Sequence, residues 1–163
     1  MPNENGLFFT GTAGTGKTYA AVASMIDWLN NRDYYDDALT GVFLECVSAN
    51  DIARQLVGFV SVPEFFMELR STFSNDNVTE DDVINRYANV PLLILDDFGA
   101  EKMTDYSMQS LYILINRRLN EMRQTIITSN LSLPEIQKID PRLASRIASY
   151  RQIKLLGKDR RIK

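Results

Sequence analysis

Short apolar runs and longer stretches with helical spacing alternate along this chain of 163 residues. Four of the runs predict strands, at 7–10, 91–95, 125–128 and 151–156. The run Pro91-Leu92-Leu93-Ile94-Leu95 is apolar throughout, as expected of a strand that is buried on both faces of a parallel sheet. One more strand is predicted at either 42–47 or 56–60, and the pattern leaves both places open.

The stretches between these runs predict helices, several of which begin with a capping sequence. Residues 17–30 carry apolar positions at helical spacing. Ser61-Val62-Pro63-Glu64 and Ser132-Leu133-Pro134-Glu135 have the pattern of a capping box, in which the serine and the glutamate satisfy backbone N–H groups. Asp140 is the predicted N-cap of a helix that starts with Pro141 and runs to about residue 149.

Two helices have a predicted apolar face. The helix that begins after Ser61 is expected to place four residues on one side: Phe65, Phe66, Leu69 and Phe73. The long helix 104–123 is expected to do the same with Met108, Leu111, Tyr112, Ile115, Leu119 and Met122. Strands that alternate with helices imply an α/β fold of three layers, with a parallel five-stranded sheet and helices on both faces. Ligands of such sheets bind at the carboxyl ends of the strands.

A glycine-rich segment follows the first strand and opens the first helix. Gly11-Thr12-Ala13-Gly14-Thr15-Gly16-Lys17-Thr18 matches the P-loop pattern G-x-x-x-x-G-K-[ST] at every position. Backbone N–H groups of such a loop, together with the helix N-terminus, attract phosphate. Lys17 is predicted to reach the β- and γ-phosphates, and the Thr18 hydroxyl to ligate Mg²⁺. The segment therefore predicts a binding site for ATP with Mg²⁺.

Polar residues end two other predicted strands. Leu92-Leu93-Ile94-Leu95-Asp96-Asp97 matches a Walker B element. Asp96 is predicted to hold Mg²⁺ opposite Thr18, and Asp97 to orient or deprotonate the attacking water. Asn130, after the strand 125–128, is predicted to lie between the P-loop and Walker B strands and to position that water; the alternative is a residue that forms a turn.

Arg142 and Arg146 are four residues apart on the helix that starts at Pro141, so they share one face. Such a pair suits the stabilisation of charge at the phosphate of a neighbouring subunit, as an arginine finger acting in trans. The alternative is two solvated arginines. The spacing does not rank the two residues.

Composition and charge narrow the class of protein. A single cysteine, Cys46, excludes an intramolecular disulfide, and the lack of histidine excludes histidine chemistry. No apolar stretch approaches membrane-spanning length, so we expect a soluble, cytoplasmic protein without membrane association. Residues 138–163 hold nine Lys and Arg against two Asp, a net charge of +7, whereas the remainder carries −10. This basic end can bind phosphate or an acidic partner, or it is a solvated tail.

Together these segments resemble the AAA+ ATPases of the DnaC/DnaI-type helicase loaders, a group that includes the IstB-like transposition helpers. The resemblance runs from about residue 6 to 161. It rests on the P-loop at 11–18, on Asp96-Asp97-Phe98-Gly99-Ala100-Glu101, on the sensor-1-like Thr128-Ser129-Asn130 and on Pro141-Arg142-Leu143-Ala144-Ser145-Arg146-Ile147. The segments 62–71 and 154–161 also look like parts of such proteins.

The resemblance implies a subunit that binds ATP, associates with itself through its ATPase face and helps to place a replicative DNA helicase on single-stranded DNA. In an IstB-like helper the partner would be a transposase. The resemblance also implies that Asn130 is sensor 1 and that Arg142 and Arg146 are both candidates for the arginine finger. We expect one AAA+ domain over 1–163, without the N-terminal partner-binding region of such loaders and without a C-terminal helical lid. Many AAA+ proteins have glutamate where this chain has Asp97, so slow hydrolysis is expected.

Two other classes of function fit parts of the sequence. A small P-loop kinase would transfer phosphate to a metabolite, and it predicts an arginine-rich lid after the later strands. The two acids that follow Leu95, together with Asn130, favour hydrolysis or switching instead. A module that binds nucleotide with little hydrolysis is the second alternative, because the Asp97 side chain is shorter than glutamate.

Overall fold

The computed structural model of the protein describes residues 5–31, 56–74, 77–100, 104–157 and 159. These residues form a sheet with five strands: β1 Gly6–Thr10, β2 Val57–Ser61, β3 Leu92–Phe98, β4 Gln124–Ser129 and β5 Arg151–Lys154. The strands lie in the order β2-β3-β4-β1-β5, and every neighbouring pair is parallel. Of the two candidate places for the second strand, the structure confirms the one at 56–60; the run 42–47 lies outside the described residues.

The described helices connect these strands and follow the predicted order. They are α1 Lys17–Asn30, α2 Val62–Ser71, α3 Glu80–Asn89, α4 Asp105–Asn120, α5 Leu133–Ile139 and α6 Pro141–Ile147. A 3₁₀ turn, Thr72–Ser74, follows α2. Within the described ranges no helix is both long and apolar enough to cross a membrane.

Side-chain caps fix where several helices begin. The predicted box at Ser61 is formed: its hydroxyl accepts from the Glu64 N–H, and the Glu64 carboxylate accepts from the Ser61 N–H, both at 3.3 Å. Asp140 caps α6 as predicted, since one carboxylate oxygen accepts from the N–H groups of Arg142 and Leu143 at 2.8 and 3.1 Å. These bonds satisfy N–H groups that have no partner inside the helix.

The sheet is covered by helices on both faces, and β3 shows this most directly. Leu92 and Ile94 belong to the cluster that packs under α1, whereas Leu93 and Leu95 belong to the cluster that packs under the other five helices. All four of these side chains are almost fully buried. The continuous apolar run thus reflects alternation between two cores, as a doubly covered parallel sheet requires.

For two residues, Phe73 and Met122, the predicted place on an apolar helix face is wrong, because each helix ends before the residue. α2 ends at Ser71, where the Ser71 and Thr72 hydroxyls donate to backbone carbonyls, and Phe73 is left 66% exposed in the 3₁₀ turn. α4 ends at Asn120, and Met122 has a positive φ of 52° and is 70% exposed. The bond from the Arg123 N–H to the Arg118 carbonyl is that of a Schellman turn, which stops the helix before Met122 can join its apolar face.

Arg118 on α4 is fully buried, although apolar spacing gives no sign of this. Its guanidinium donates to the carbonyls of Tyr87, Ala88 and Val90 at 2.7–3.0 Å, and to the Thr125 hydroxyl at 2.9 Å. Burial lowers the Arg118 pKa to about 10, so the group stays charged at neutral pH. One side chain therefore joins the end of α3 to the beginnings of β3 and β4.

We expect Arg118→Met to lower the free energy of unfolding by about 3 kcal/mol, because several buried carbonyls lose their donor. Arg117→Met on the same helix is the matched control: Arg117 bonds Asp81 and Asn85 near the surface and should cost less than about 1 kcal/mol. Urea denaturation measures both. Equal losses for the two variants would contradict the bridging role of Arg118.

Candidate nucleotide-binding site

The P-loop lies between the end of β1 and the first turn of α1, as its sequence predicts. Gly14 and Gly16 have φ angles of 73° and 91°, in the left-handed region that glycine adopts most readily. The Thr15 hydroxyl donates to the Thr12 carbonyl at 2.8 Å and closes the loop on itself. Since α1 has Gly16 as its N-cap, no side chain caps its first N–H groups. This geometry is suited to receiving a phosphate.

Lys17 of the P-loop is buried, with 6% of its surface exposed. Its ammonium donates to the carbonyls of Gly11 and Thr12 at 3.0 and 2.9 Å. These bonds hold a positive charge beneath the loop's backbone. The predicted contact of Lys17 with the β- and γ-phosphates remains a prediction.

Asp96 joins the P-loop helix to the centre of the sheet. Its two carboxylate oxygens both lie 3.1 Å from the Thr18 hydroxyl, and one of them accepts from the Thr128 hydroxyl at 2.6 Å. Asp96 is buried, with 7% of the residue exposed, so these short contacts are made in a region with little water. The two predicted Mg²⁺ ligands, Thr18 and Asp96, therefore lie in contact. A hydroxyl and a carboxylate are hard oxygen donors, which fits Mg²⁺.

Asp96 and Asp97 form a β-bulge near the end of β3. Leu95 pairs with Ile127 and Phe98 pairs with Ser129, so the two acids oppose a single residue of β4. Asp97 has a φ of 56°, a conformation that is uncommon for a residue with a β-carbon. The strand thus buries Asp96 and leaves Asp97 exposed at the mouth of the site.

Thr128 is a functional candidate that the sequence reasoning named only as part of a motif. This fully buried residue donates its hydroxyl proton to Asp96 and accepts from the Asp97 N–H at 3.0 Å. One side chain thereby sets the positions of both acids. A hydroxyl at the end of a buried strand beside Walker B is the signal that could have identified it.

Asn130 follows β4, which lies between β3 and β1 as predicted. The buried Ser129 hydroxyl donates to the Phe98 carbonyl at 2.7 Å and accepts from the Leu131 N–H at 2.9 Å, so the turn that carries Asn130 is fixed on both sides. A cavity of about 340 Å³ lies here. Its lining includes Gly14, Gly16, Lys17, Thr18, Tyr19, Asp97, Ala100 and Asn130.

The segment after β5 packs against the P-loop. The Leu155 N–H donates to the Thr10 carbonyl at 2.7 Å. A β-carbon at Gly11 would lie 2.5 Å from the Leu155 carbonyl oxygen, and one at Gly14 would lie 2.8 Å from the α-carbon of Asp159. Close backbone approach, besides phosphate binding, therefore favours glycine at these two positions.

Arg142 and Arg146 on α6 are not among the residues that line this cavity. Their guanidinium carbons lie 5.5 and 5.8 Å from the ring centre of Tyr112 on α4. Arg142 also forms an ion pair with Asp140 at 3.0 Å, which raises the pKa of Arg142 and lowers that of Asp140. The role of either arginine as a finger acting in trans remains a prediction.

A parallel sheet of this order, with a P-loop after β1 and two acids near the end of β3, is the fold of AAA+ P-loop domains. A model of the IstB-like ATP binding protein family matches residues 43–149, more than half of the chain. The chain belongs to this family.

Curated relatives are replication proteins. The chain is 23% identical over 137 residues to the replicative helicase loader DnaC of Escherichia coli (strain K12), which covers 84% of this chain and 47% of that protein. It is 26% identical over 133 residues to the replicative helicase loader DnaI of Bacillus subtilis (strain 168), with 81% and 35% covered. The chain thus spans about half the length of the DnaC that it matches.

Solved structures share the fold. Domain III of the Thermotoga maritima replication initiation protein DnaA has a TM-score of 0.73 at 18% identity, with 97% of this chain and 57% of that one covered. The DnaC helicase loader has 0.68 at 23%, with 96% and 81% covered. DnaA bound to AMPPCP and single-stranded DNA has 0.70 at 18%, with 94% and 41% covered.

We expect Thr128→Val to lower both the free energy of unfolding, by about 1–3 kcal/mol, and any ATP hydrolysis, because the Asp97 N–H and the Asp96 carboxylate lose a buried partner. Thr128→Ser keeps the hydroxyl and is the matched control. Denaturant titration and phosphate release measure the two effects. A valine variant that equals the serine variant in both would show that the hydroxyl does not organise the acids.

Proposed function

We propose that this protein is a slowly hydrolysing AAA+ ATPase that acts in DNA replication as a helicase loader. In this proposal its ATP-bound form assembles with a replicative DNA helicase on single-stranded DNA. The observation that carries the proposal is the convergence of the P-loop, Thr18, Asp97 and Asn130 on one cavity, with Asp96 behind it. The loaders DnaC and DnaI among the relatives support the choice of process.

We assign nucleotide binding to the P-loop, with its Lys17 and Thr18, and to Asp96. The N–H groups at the start of α1 and the Lys17 ammonium neutralise phosphate oxygens. Thr18 and Asp96 would hold Mg²⁺, which neutralises charge on the β- and γ-phosphates when it is bound. The bond between Thr18 and Asp96 keeps the two ligands together before the nucleotide arrives.

Hydrolysis falls to Asp97 and Asn130. The oxygen of a water molecule bonds to the γ-phosphorus while the bond from that phosphorus to the bridging oxygen of ADP breaks. The Asp97 carboxylate accepts the proton that the water loses, and the Asn130 amide orients the water. The short side chain of Asp97 makes this step slow, so the ATP state serves as a switch.

We assign the trans-acting finger to Arg146 and a supporting role to Arg142. The Arg142 guanidinium is engaged by the buried Asp140 carboxylate, at 3.0 Å. The contacts of the Arg146 side chain in the described structure are with Tyr112: the ring, and a weak hydrogen bond of 3.4 Å to its hydroxyl. Arg146 can therefore reach a neighbour's γ-phosphate without breaking an ion pair.

Single-stranded DNA is the proposed nucleic-acid partner of the basic end. Besides the two finger candidates, the described part of this end presents three exposed cations, on α5 and β5: Lys138, Arg151 and Lys154. Exposed cations supply phosphate contacts that do not depend on sequence. A DnaA structure with the same fold holds single-stranded DNA, which supports this assignment.

The family description favours a second candidate, a transposition helper of the same fold whose partner is a transposase. Both candidates use the same ATP chemistry, so the site does not separate them. Adjacent genes do: a neighbouring helicase gene favours the loader, and a neighbouring transposase gene favours the helper.

We expect Lys17→Ala to weaken MgATP binding about 100-fold or more, because a buried, charge-assisted phosphate contact is lost. Isothermal titration calorimetry measures the Kd, and thermal unfolding checks that the loop still folds. Lys138→Ala, which removes an exposed lysine of α5, is the control and should leave the Kd unchanged. Tight MgATP binding by the Lys17 variant would remove the P-loop assignment.

We expect Arg146→Ala to leave the MgATP Kd unchanged and to lower hydrolysis at least tenfold, since a finger acts on charge in the transition state. Mixing it with Asp97→Asn should restore activity, because the Asp97→Asn subunits supply the missing arginine to intact P-loops. Arg142→Ala should lower hydrolysis less. No restoration on mixing would argue against a finger in trans.

A further inference from the structure

The ring of Tyr112 brings the two arginines together. Both guanidinium carbons lie within 6 Å of its centre, at 5.5 Å for Arg142 and 5.8 Å for Arg146. This is the range in which a ring face attracts a cation. The Tyr112 hydroxyl also accepts from Arg146 at 3.4 Å. Two cations of like charge thus share one aromatic side chain.

The helices that carry these groups are anchored in the core. On α4, Leu111 beside the tyrosine and Ile115 one turn further on are fully buried. On α6, Leu143 and Ile147, each next to one of the arginines, are fully buried as well. The backbone at Tyr112 and at both arginines is therefore fixed by packing, and what stays variable is the long arginine side chain itself.

The contacts of the two arginines differ. Arg142 is held twice, by the ring and by the buried carboxylate of Asp140. For the Arg146 side chain the described structure gives hydrogen-bond and ring contacts to Tyr112 alone, through its face and its hydroxyl. An unrestrained arginine side chain loses rotamer entropy when it is fixed. The ring limits that loss by restricting Arg146 beforehand.

We infer that Tyr112 is a positioning residue that holds Arg146 in the conformation from which it meets a neighbouring subunit's phosphate. The inference rests on the proposed trans site. Removing the ring leaves the charge of Arg146 in place but no longer restricts the orientation of the arginine side chain. The loss should therefore appear in kcat, where the finger acts, and not in the MgATP Kd, which belongs to the same subunit's own loop.

The test uses the 163-residue chain at a concentration where the hydrolysis rate per subunit has reached its plateau. We expect Tyr112→Leu to lower kcat about tenfold, with the MgATP Kd changed less than about twofold. Tyr112→Phe keeps the aromatic face and should stay within about threefold of the parent kcat. Mixing Tyr112→Leu with Asp97→Asn should restore the rate, because the Asp97→Asn subunits present a correctly held arginine to intact cavities.

Each other outcome overturns the inference in a recognisable way. If Arg146→Ala lowers kcat and Tyr112→Leu does not, Tyr112 does not position the finger, while the proposed trans site stands. If Tyr112→Leu is slow and mixing restores nothing, the substitution damages its own cavity and the tyrosine is merely structural. If Arg146→Ala itself is without effect, the trans site fails, and with it the role of Tyr112.

Discussion

The carboxylate of Asp96 is the group on which the arrangement of this site depends. It accepts hydrogen bonds from Thr18 on the P-loop helix and from Thr128 on β4, and it stands at the end of β3. Three elements that are far apart in sequence therefore meet at one buried charge. A buried carboxylate without partners is costly, so the fold is most stable when all three elements are in place. The same hydrogen bonds that stabilise the fold therefore also hold the P-loop helix, β3 and β4 in the arrangement that suits nucleotide binding.

Much of this could be read from the sequence because it depends on local chemistry. A few neighbouring residues are enough to identify each of these features: the P-loop, the apolar run before Asp96 and the capping residues Ser61 and Asp140. Strands that alternate with helices predict a parallel sheet. The continuous apolar run before Asp96 predicts a strand that is covered on both faces of that sheet.

Other features depend on contacts between distant segments, and sequence patterns do not reveal them. Phe73 and Met122 keep the helical spacing of their neighbours, yet turns formed by backbone and hydroxyl groups end the helices before them. Arg118 looks like a surface residue until the carbonyls of Tyr87 and Ala88 are brought to it. The contact of Tyr112 with two arginines becomes visible only in the folded structure, where α6 places both arginines over the ring.

We propose that the ATPase site is completed between subunits, because neither Arg142 nor Arg146 lines the cavity of its own chain. The most direct test is the rate of MgATP hydrolysis per subunit, measured against protein concentration with and without single-stranded DNA. We predict a rate that rises with concentration and changes when DNA is added. A flat rate that ignores DNA would contradict the claim, and it would indicate a self-contained site or a module that binds nucleotide without turnover.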